Sequence, residues 1–198
     1  MIILYQNIFN IDLLDVTMVE ESVDVCDEKN NLTGITKFKS EAHKKGLWHR
    51  TAHIWVYNSK GEILIQLRTK DKTTYPDMWD ISAAGHVSAG EDPLTSGLRE
   101  LYEEIGLKVK KNDLKFYRIL KDSYKYKSMK NNQFCYVYFL KYDGDISKLK
   151  LQKEEVQKIR FLSPKQLEIE LKKYPDKYVP NGEYWFEIIH EVERRLNL

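Results

Sequence analysis

Residues 85–107 read GHVSAGEDPLTSGLRELYEEIGL and place three glutamates, Glu100, Glu103 and Glu104, within five positions. Pro93 predicts the first residue of a helix, because its backbone angle suits that position and its missing N–H is not needed there. Like charges three or four residues apart on a helix repel by ~0.2–0.5 kcal/mol per pair. A hard divalent cation offsets this repulsion, and carboxylates are ligands of Mg²⁺ where it also coordinates substrate phosphates. The stretch therefore predicts a metal site on a helix.

The apolar residues of this stretch indicate which side of the helix is buried. They recur at offsets of 4, 3 and 4 along residues 93–105 and form one stripe, made of Leu94, Leu98, Leu101 and Ile105. Gly106 predicts the end of the helix. A solvated acidic face is the usual explanation of an isolated E-x-x-E-E pattern, so the positions around the glutamates decide between the two interpretations.

Composition describes an ordinary globular chain. Of its 198 residues, 31% are charged and 42% hydrophobic, which favours a single domain. Lys plus Arg number 32 against 30 Asp plus Glu, so the net charge of +2 gives no reason to expect a nucleic-acid or membrane partner. The two cysteines fit no metal spacing and favour a reducing, cytoplasmic setting. Residues 1–17 lack a basic region and a cleavage site, and are interpreted as an N-terminal extension rather than a signal peptide.

Periodicity predicts strands and helices without regular βαβ alternation. Two β-hairpins are expected, followed by later strands and two amphipathic helices. The hairpins are predicted at 22–26 with 35–39 and at 52–57 with 62–67, the strands at 134–142 and 158–162, and the helices at 164–174 and 183–196. The fold class expected is therefore α+β, with a mixed sheet and helices on both of its faces.

The spacing of the fixed residues within 85–107 resembles the signature of the Nudix hydrolases at every fixed position. The matching residues are Gly85, Glu91, Arg99, Glu100, Glu103, Glu104 and Gly106. The resemblance implies an α/β/α sandwich with a central mixed β-sheet, formed by one domain over residues 18–198. It also implies an enzyme that hydrolyses a diphosphate bond in a nucleoside diphosphate derivative or a related small metabolite.

The resemblance also implies a role for each matching residue. Glu100, Glu103 and Glu104 correspond to the metal-binding set, with either Glu100 or Glu104 as the base. The backbone carbonyl of Ala84 is expected to join the metal, and Arg99 to orient Glu103. The implied ion is Mg²⁺, with Mn²⁺ as the alternative, and bound Mg²⁺ would neutralise phosphate charge and activate water.

The other residues of the signature are expected to shape the backbone, and a basic loop nearby to bind substrate. Gly85 permits a tight turn, Glu91 holds the loop against the helix, and Gly106 ends the helix. Arg68 and Lys72 are candidates for contact with phosphate oxygens of a small-molecule diphosphate. A solvated basic loop is the competing interpretation for both.

A second resemblance covers residues 20–86, which are similar to the Nudix subgroup of type 1 isopentenyl-diphosphate isomerase. That isomerase uses a cysteine directly before a Gly-His pair, and this chain has Ala84 there. Asn131 and Gln133 stand where the isomerase has two metal-binding glutamates. Neutral amides cannot act as the acid. The sequence therefore favours the hydrolase over the isomerase. A third alternative is a non-catalytic nucleotide-binding domain, and the intact glutamate set argues against it, because a domain that only binds has no need of all three glutamates.

Three histidines match the metal-binding histidines of the isomerase, namely His43, His49 and His86. For His43 and His49 a structural or hydrogen-bonded role is the favoured interpretation. His53, within a predicted strand, is expected to be a packing or surface residue.

Overall fold

The structure is a computed structural model that describes residues 20–197. The predicted N-terminal extension, residues 1–17, lies outside the described residues. Within residues 20–197 the strands are β1 Ser22–Cys26, β2 Leu32–Phe38, β3 Trp48–Tyr57, β4 Ile63–Arg68, β5 Trp79–Asp80, β6 Ala83–His86, β7 Lys115–Tyr126, β8 Met129–Lys141 and β9 Val156–Leu162. The α-helices there are α1 Lys39–Lys45, α2 Pro93–Ile105, α3 Pro164–Lys173 and α4 Glu183–Leu196.

Both predicted hairpins are present. β1 pairs antiparallel with β2, and β3 pairs antiparallel with β4 at Tyr57 and Ile63, next to the turn. Beyond that point β3 and β4 part: β6 pairs with β3, while β5 and β9 pair with β4. The gap between β3 and β4 is where the candidate site lies.

The sheet is mixed, as predicted. β8 runs parallel to β3 over ten residue pairs, and the other strand pairings between described residues are antiparallel. β7, which pairs with β8 along its length, was not among the predicted strands. Neither was α1, a seven-residue helix in which only Ala42 is buried.

Helices cover both faces of the sheet, and β3 divides its side chains between them. Ala52, Ile54 and Val56 pack in one core with Leu101 and Ile105 of α2. Full burial of an aliphatic side chain such as these contributes ~1.5–3 kcal/mol. The alternate residues of β3, Trp55 and Tyr57, pack in a second core with residues of α3 and α4. The α/β/α arrangement expected from the sequence is therefore confirmed.

Helix α2 begins and ends at the predicted residues. The Asp92 side chain accepts hydrogen bonds from the backbone N–H groups of Leu94 and Thr95, and so caps the first turn. Gly106 ends the helix at φ 71°, in the left-handed region. A Cβ there would lie 2.7 Å from the backbone oxygen of Lys150, so the position has no space for a side chain.

No helix among residues 20–197 is long and apolar enough to cross a membrane.

Candidate active site

Glu104 is the buried member of the glutamate cluster, with 5% of its surface exposed. Its Oε2 accepts hydrogen bonds from the backbone N–H of Ala84 at 3.0 Å and from Nε2 of Gln66 at 3.2 Å. These bonds join α2 to β6 and β4. The carboxylate is therefore held in place from two strands.

Glu100 lies one helical turn earlier and packs against the backbone of β6. A Cβ at Gly85 would lie 2.0 Å from Glu100 Cδ and 2.3 Å from its Oε1. Real Cβ atoms do not approach a neighbour that closely, so glycine is required for Glu100 to occupy this place. The sequence interpretation gave Gly85 a role in a tight turn, and the structure adds this clearance.

Arg99 binds two of the three glutamates. Its Nη1 donates to Glu100 Oε1 at 2.7 Å and to Glu103 Oε2 at 3.0 Å. Its Nη2 donates to the backbone oxygen of His86 at 3.2 Å. Glu91 Oε2 accepts from Arg99 Nε at 3.5 Å, so the loop before α2 is connected to the same guanidinium. These contacts fit the orienting roles predicted for Arg99 and Glu91.

Burial and crowding make the buried carboxylates reluctant to ionise together. Burial, and after it the negative charge of Glu100, raise the pKa of Glu104 to about 8 against the opposing effect of the hydrogen bond from Ala84. Burial is also the main reason that the pKa of Glu100 is raised. A divalent cation beside both groups would offset these costs, and carboxylates are the hard oxygen donors that Mg²⁺ and Mn²⁺ take. The residues present therefore fit the predicted ion.

A cavity of about 480 Å³ opens beside the cluster. This volume suits a small-molecule ligand, since such pockets span roughly 300–1,000 Å³. The cavity is lined by Ala84, Gly85, Arg99 and all three glutamates of the cluster. The structure thus brings all five predicted catalytic and metal-binding residues to one cavity. Gly106, predicted only to end the helix, lies at the far end of α2.

Arg68 and Lys72 also line this cavity, and both already have partners. Arg68 Nη1 donates to Asp80 Oδ2 at 2.9 Å, and its other nitrogens donate to Thr74 and to the backbone oxygen of Tyr75. Lys72 forms an ion pair with Glu155, which lines the cavity as well. Substrate binding by Arg68 and Lys72 stays a prediction, and Lys72 would exchange Glu155 for a phosphate.

The three histidines form a second cluster of candidate ligands. A ring nitrogen of each of His43, His49 and His86 lies within 4.8 Å of the others. His49 Nδ1 lies 2.9 Å from the backbone oxygen of Leu47, so Nδ1 carries the proton and Nε2 the lone pair. Burial lowers the pKa of all three, to about 4 for His43, and neutral imidazoles are what a metal ion binds. The cluster could hold a metal ion that favours nitrogen ligands. The structural or hydrogen-bonded role favoured for His43 and His49 stays a prediction.

Sequence reasoning missed the opposite wall of the cavity. Asp122 and Tyr124 come from β7, which was not predicted. His53 comes from β3, on the face whose later residues Trp55 and Tyr57 are buried in the core. Tyr184, at the start of α4, also lines this wall. A signal was available in β3, because polar residues at alternate positions of an otherwise buried strand indicate a polar cavity.

Comparison with known proteins finds the NUDIX domain family over residues 47–182. The chain is 36% identical to Nudix hydrolase 3 of Arabidopsis thaliana over 184 residues, which are 88% of this chain and 24% of that protein. It is also 36% identical over 86 residues to the isopentenyl-diphosphate Δ-isomerase of Pectobacterium atrosepticum, 43% of this chain and 48% of the isomerase. The chain thus spans less than half of either relative.

A crystal structure of a Deinococcus radiodurans protein, DR0079, has a similar fold. It superposes with a TM-score of 0.62 at 21% identity, over 87% of this chain and 99% of that one.

Proposed function

The chain belongs to the Nudix hydrolases, enzymes that act on nucleoside diphosphate derivatives, and from that premise we propose Mg²⁺-dependent cleavage of a diphosphate bond in such a derivative or a related small metabolite. Mn²⁺ is the alternative ion. A cytoplasmic location is part of the proposal, because Cys26 and Cys135 are buried free thiols.

One observation carries the proposal. Glu104 is buried and Glu100 half-buried, one helical turn apart at the wall of a cavity, although burial and mutual repulsion both oppose their ionisation. Such a pair costs stability on its own, because the second negative charge is formed in a largely desolvated place beside the first. The arrangement is explained if a cation and a phosphorylated ligand bind there.

The roles of the protein groups follow from their contacts. Arg99 holds Glu100 and Glu103 at a fixed separation, and the N–H of Ala84 fixes Glu104. Glu100 or Glu104 accepts the proton of the attacking water. Lys72, released from Glu155, is placed to contact a phosphate oxygen. When bound, Mg²⁺ neutralises phosphate charge and lowers the pKa of water. Glu100, Glu103, Glu104 and the Ala84 carbonyl would hold it.

The test is a hydrolysis screen with Mg²⁺ over nucleoside di- and triphosphates, nucleotide sugars, dinucleoside polyphosphates and prenyl diphosphates. Products are separated by chromatography, because cleavage of a diphosphate between two organic groups yields two phosphomonoesters and no free phosphate. Hydrolysis of at least one class is expected, with loss of at least ~10²-fold in turnover for Glu104→Gln. Glu168→Gln is the matched control, because Glu168 lies on α3, outside the cavity lining, with its side chain 44% exposed and paired with Lys172. The proposal fails if no class is hydrolysed, or if both variants behave alike.

Neither alternative function gains support from the site itself. An isomerase would need a titratable group at position 84, where the side chain is a methyl group. A non-catalytic binding domain would need neither the crowded pair of Glu100 and Glu104 nor the contacts of Arg99.

A further inference from the structure

His53 lies where β3 passes from the cavity into the apolar core. Its ring is partly exposed and lines the cavity, whereas Trp55, two residues later on the same face, is fully buried. In the sheet His53 stands opposite Ala84 of β6, and the N–H of Ala84 donates to Glu104. The imidazole is therefore one strand away from the glutamate cluster.

A chain of hydrogen bonds determines which nitrogen of His53 carries its proton. The indole Nε1 of Trp55 can only donate, and it lies 2.9 Å from the hydroxyl oxygen of Tyr184. That hydroxyl lies 3.3 Å from His53 Nδ1. Tyr184 is buried, and its oxygen has no other hydrogen-bond partner within residues 20–197. Each donor has an acceptor only if Tyr184 donates to Nδ1, which leaves the proton of a neutral ring on Nε2.

The Nε2 proton of His53 has no acceptor in the described part of the chain. Two carboxylates of the cavity wall interact with the ring through their charge, but each already accepts a hydrogen bond from another side chain. Asp80 accepts from Arg68, and Asp122 accepts from Gln133. Burial lowers the pKa of His53 to about 4, in keeping with a ring that stays neutral. An oriented donor without an acceptor, facing a cavity beside the glutamates, is available to a ligand.

We propose that His53 donates its Nε2 proton to an oxygen of the diphosphate substrate, and that Tyr184 is a positioning residue that holds the imidazole in this tautomer. The inference rests on the proposed function, since it names a further binding contact at the same site. The contact is a neutral one. It stabilises phosphate oxygen without adding a further positive charge to a cavity wall that already holds Arg68 and Lys72.

Kinetics on the best substrate of the screen test the contact. His53→Phe keeps a planar ring but removes the donor, and should lower kcat/KM by about 10- to 100-fold, the value of a hydrogen bond to a charged group. His53→Gln offers an amide N–H at a similar reach and should restore activity to within about 3-fold of the unaltered protein. Equal losses in the two variants, or no loss in His53→Phe, would overturn the proposal.

Tyr184→Phe tests the positioning role. It should lower kcat/KM less than His53→Phe does, with the loss mainly in KM, and should add little when combined with His53→Phe. Tyr57→Phe removes a hydroxyl from the same face of β3 at its apolar end, and is the matched control with unchanged kinetics. Additive losses in the double variant would contradict the hydrogen-bond chain.

Nitrogen-15 NMR of the histidine-labelled full chain gives a readout that needs no variant and no turnover. The spectrum should place the His53 proton on Nε2, and its resonance should shift when methylenediphosphonate is added with Mg²⁺. A proton on Nδ1, or an unchanged resonance with the compound bound, would overturn the inference. A chain that hydrolyses nothing in the screen would instead refute the proposed function, and the tautomer would still be measurable.

Discussion

Replacing Gly85 with alanine is expected to disable the site through one atom. The new Cβ would lie 2.0 Å from Glu100 Cδ, and a change from 2.0 Å to the 3.4 Å of an ordinary contact moves the carboxylate by about 1.4 Å. The φ angle of Gly85 is outside the left-handed region, so alanine adds no backbone strain. Displacement of the Glu100 carboxylate is therefore the only change expected at the site.

The magnitude follows from the size of the displacement. A misplacement of ~1 Å in a catalytic group can cost ~10²-fold in rate, so Gly85→Ala should lower kcat by about that factor. The free energy of unfolding should change little in the absence of metal, because moving Glu100 outward also separates it from Glu104. Steady-state hydrolysis and thermal unfolding of the same preparations measure the two quantities.

Gly97→Ala is the matched control. Gly97 lies in the middle of α2, where a Cβ would meet Ala52 Cβ and Ile54 Cδ1 at 3.4 Å, an ordinary contact. This variant should retain its kcat, and its stability should stay within ~1 kcal/mol of the unaltered chain.

A double variant separates the proposed cause from general damage. Glu100→Ala removes the group that the new Cβ would strike, so Gly85→Ala should add no further loss in that background. A full additional loss there, or a near-normal kcat for Gly85→Ala alone, would refute the reasoning.

The other predictions concern the ligands, the isomerase resemblance and the beginning of the chain. Glu100→Gln and Glu104→Gln should each lower turnover by at least ~10²-fold with the fold intact by circular dichroism, and Arg99→Ala should cost less because it only orients; near-normal turnover in both glutamate variants contradicts this. No isomerase activity on isopentenyl diphosphate is expected, nor any after Ala84→Cys alone, and detection of the allylic isomer with the unaltered chain would count against it. A chain that begins at Met18 should fold, bind Mg²⁺ and hydrolyse at a similar rate; aggregation, or a thermal midpoint many degrees lower, would show that residues 1–17 contribute to the core.

Helix α2 could be predicted to the residue because all of its signals are local. Pro93 marks its start, Gly106 its end, and the apolar stripe its buried face, and the structure adds Asp92 as the cap of the first turn. The glutamate cluster followed for the same reason, since its three carboxylates lie within about one turn of one helix. The fold class also followed from local patterns of strands and helices.

The elements that escaped prediction depend on distant partners. β7 reads KFYRILKDSYKY, with Ile119, Lys121, Ser123 and Lys125 on its more exposed face, and its pairing with β8 accounts for the strand. The contact between His53 and Tyr184 joins residues 131 positions apart. No local pattern specifies such a contact, which arises only when β3 and α4 pack on the same face of the sheet.

The single strand β3 carries three environments on one face: His49 in the imidazole cluster, His53 in the cavity, and Trp55 in the core beneath α4. Because side chains alternate, inserting or deleting one residue within β3 would exchange its two faces and place polar groups under α2. Natural variation in chain length should therefore avoid residues 48–57 and accumulate at the turn 58–62, where the only cost is a longer connection. The length of β3 is therefore constrained, and it could serve to align distant members of the family whose side chains no longer match.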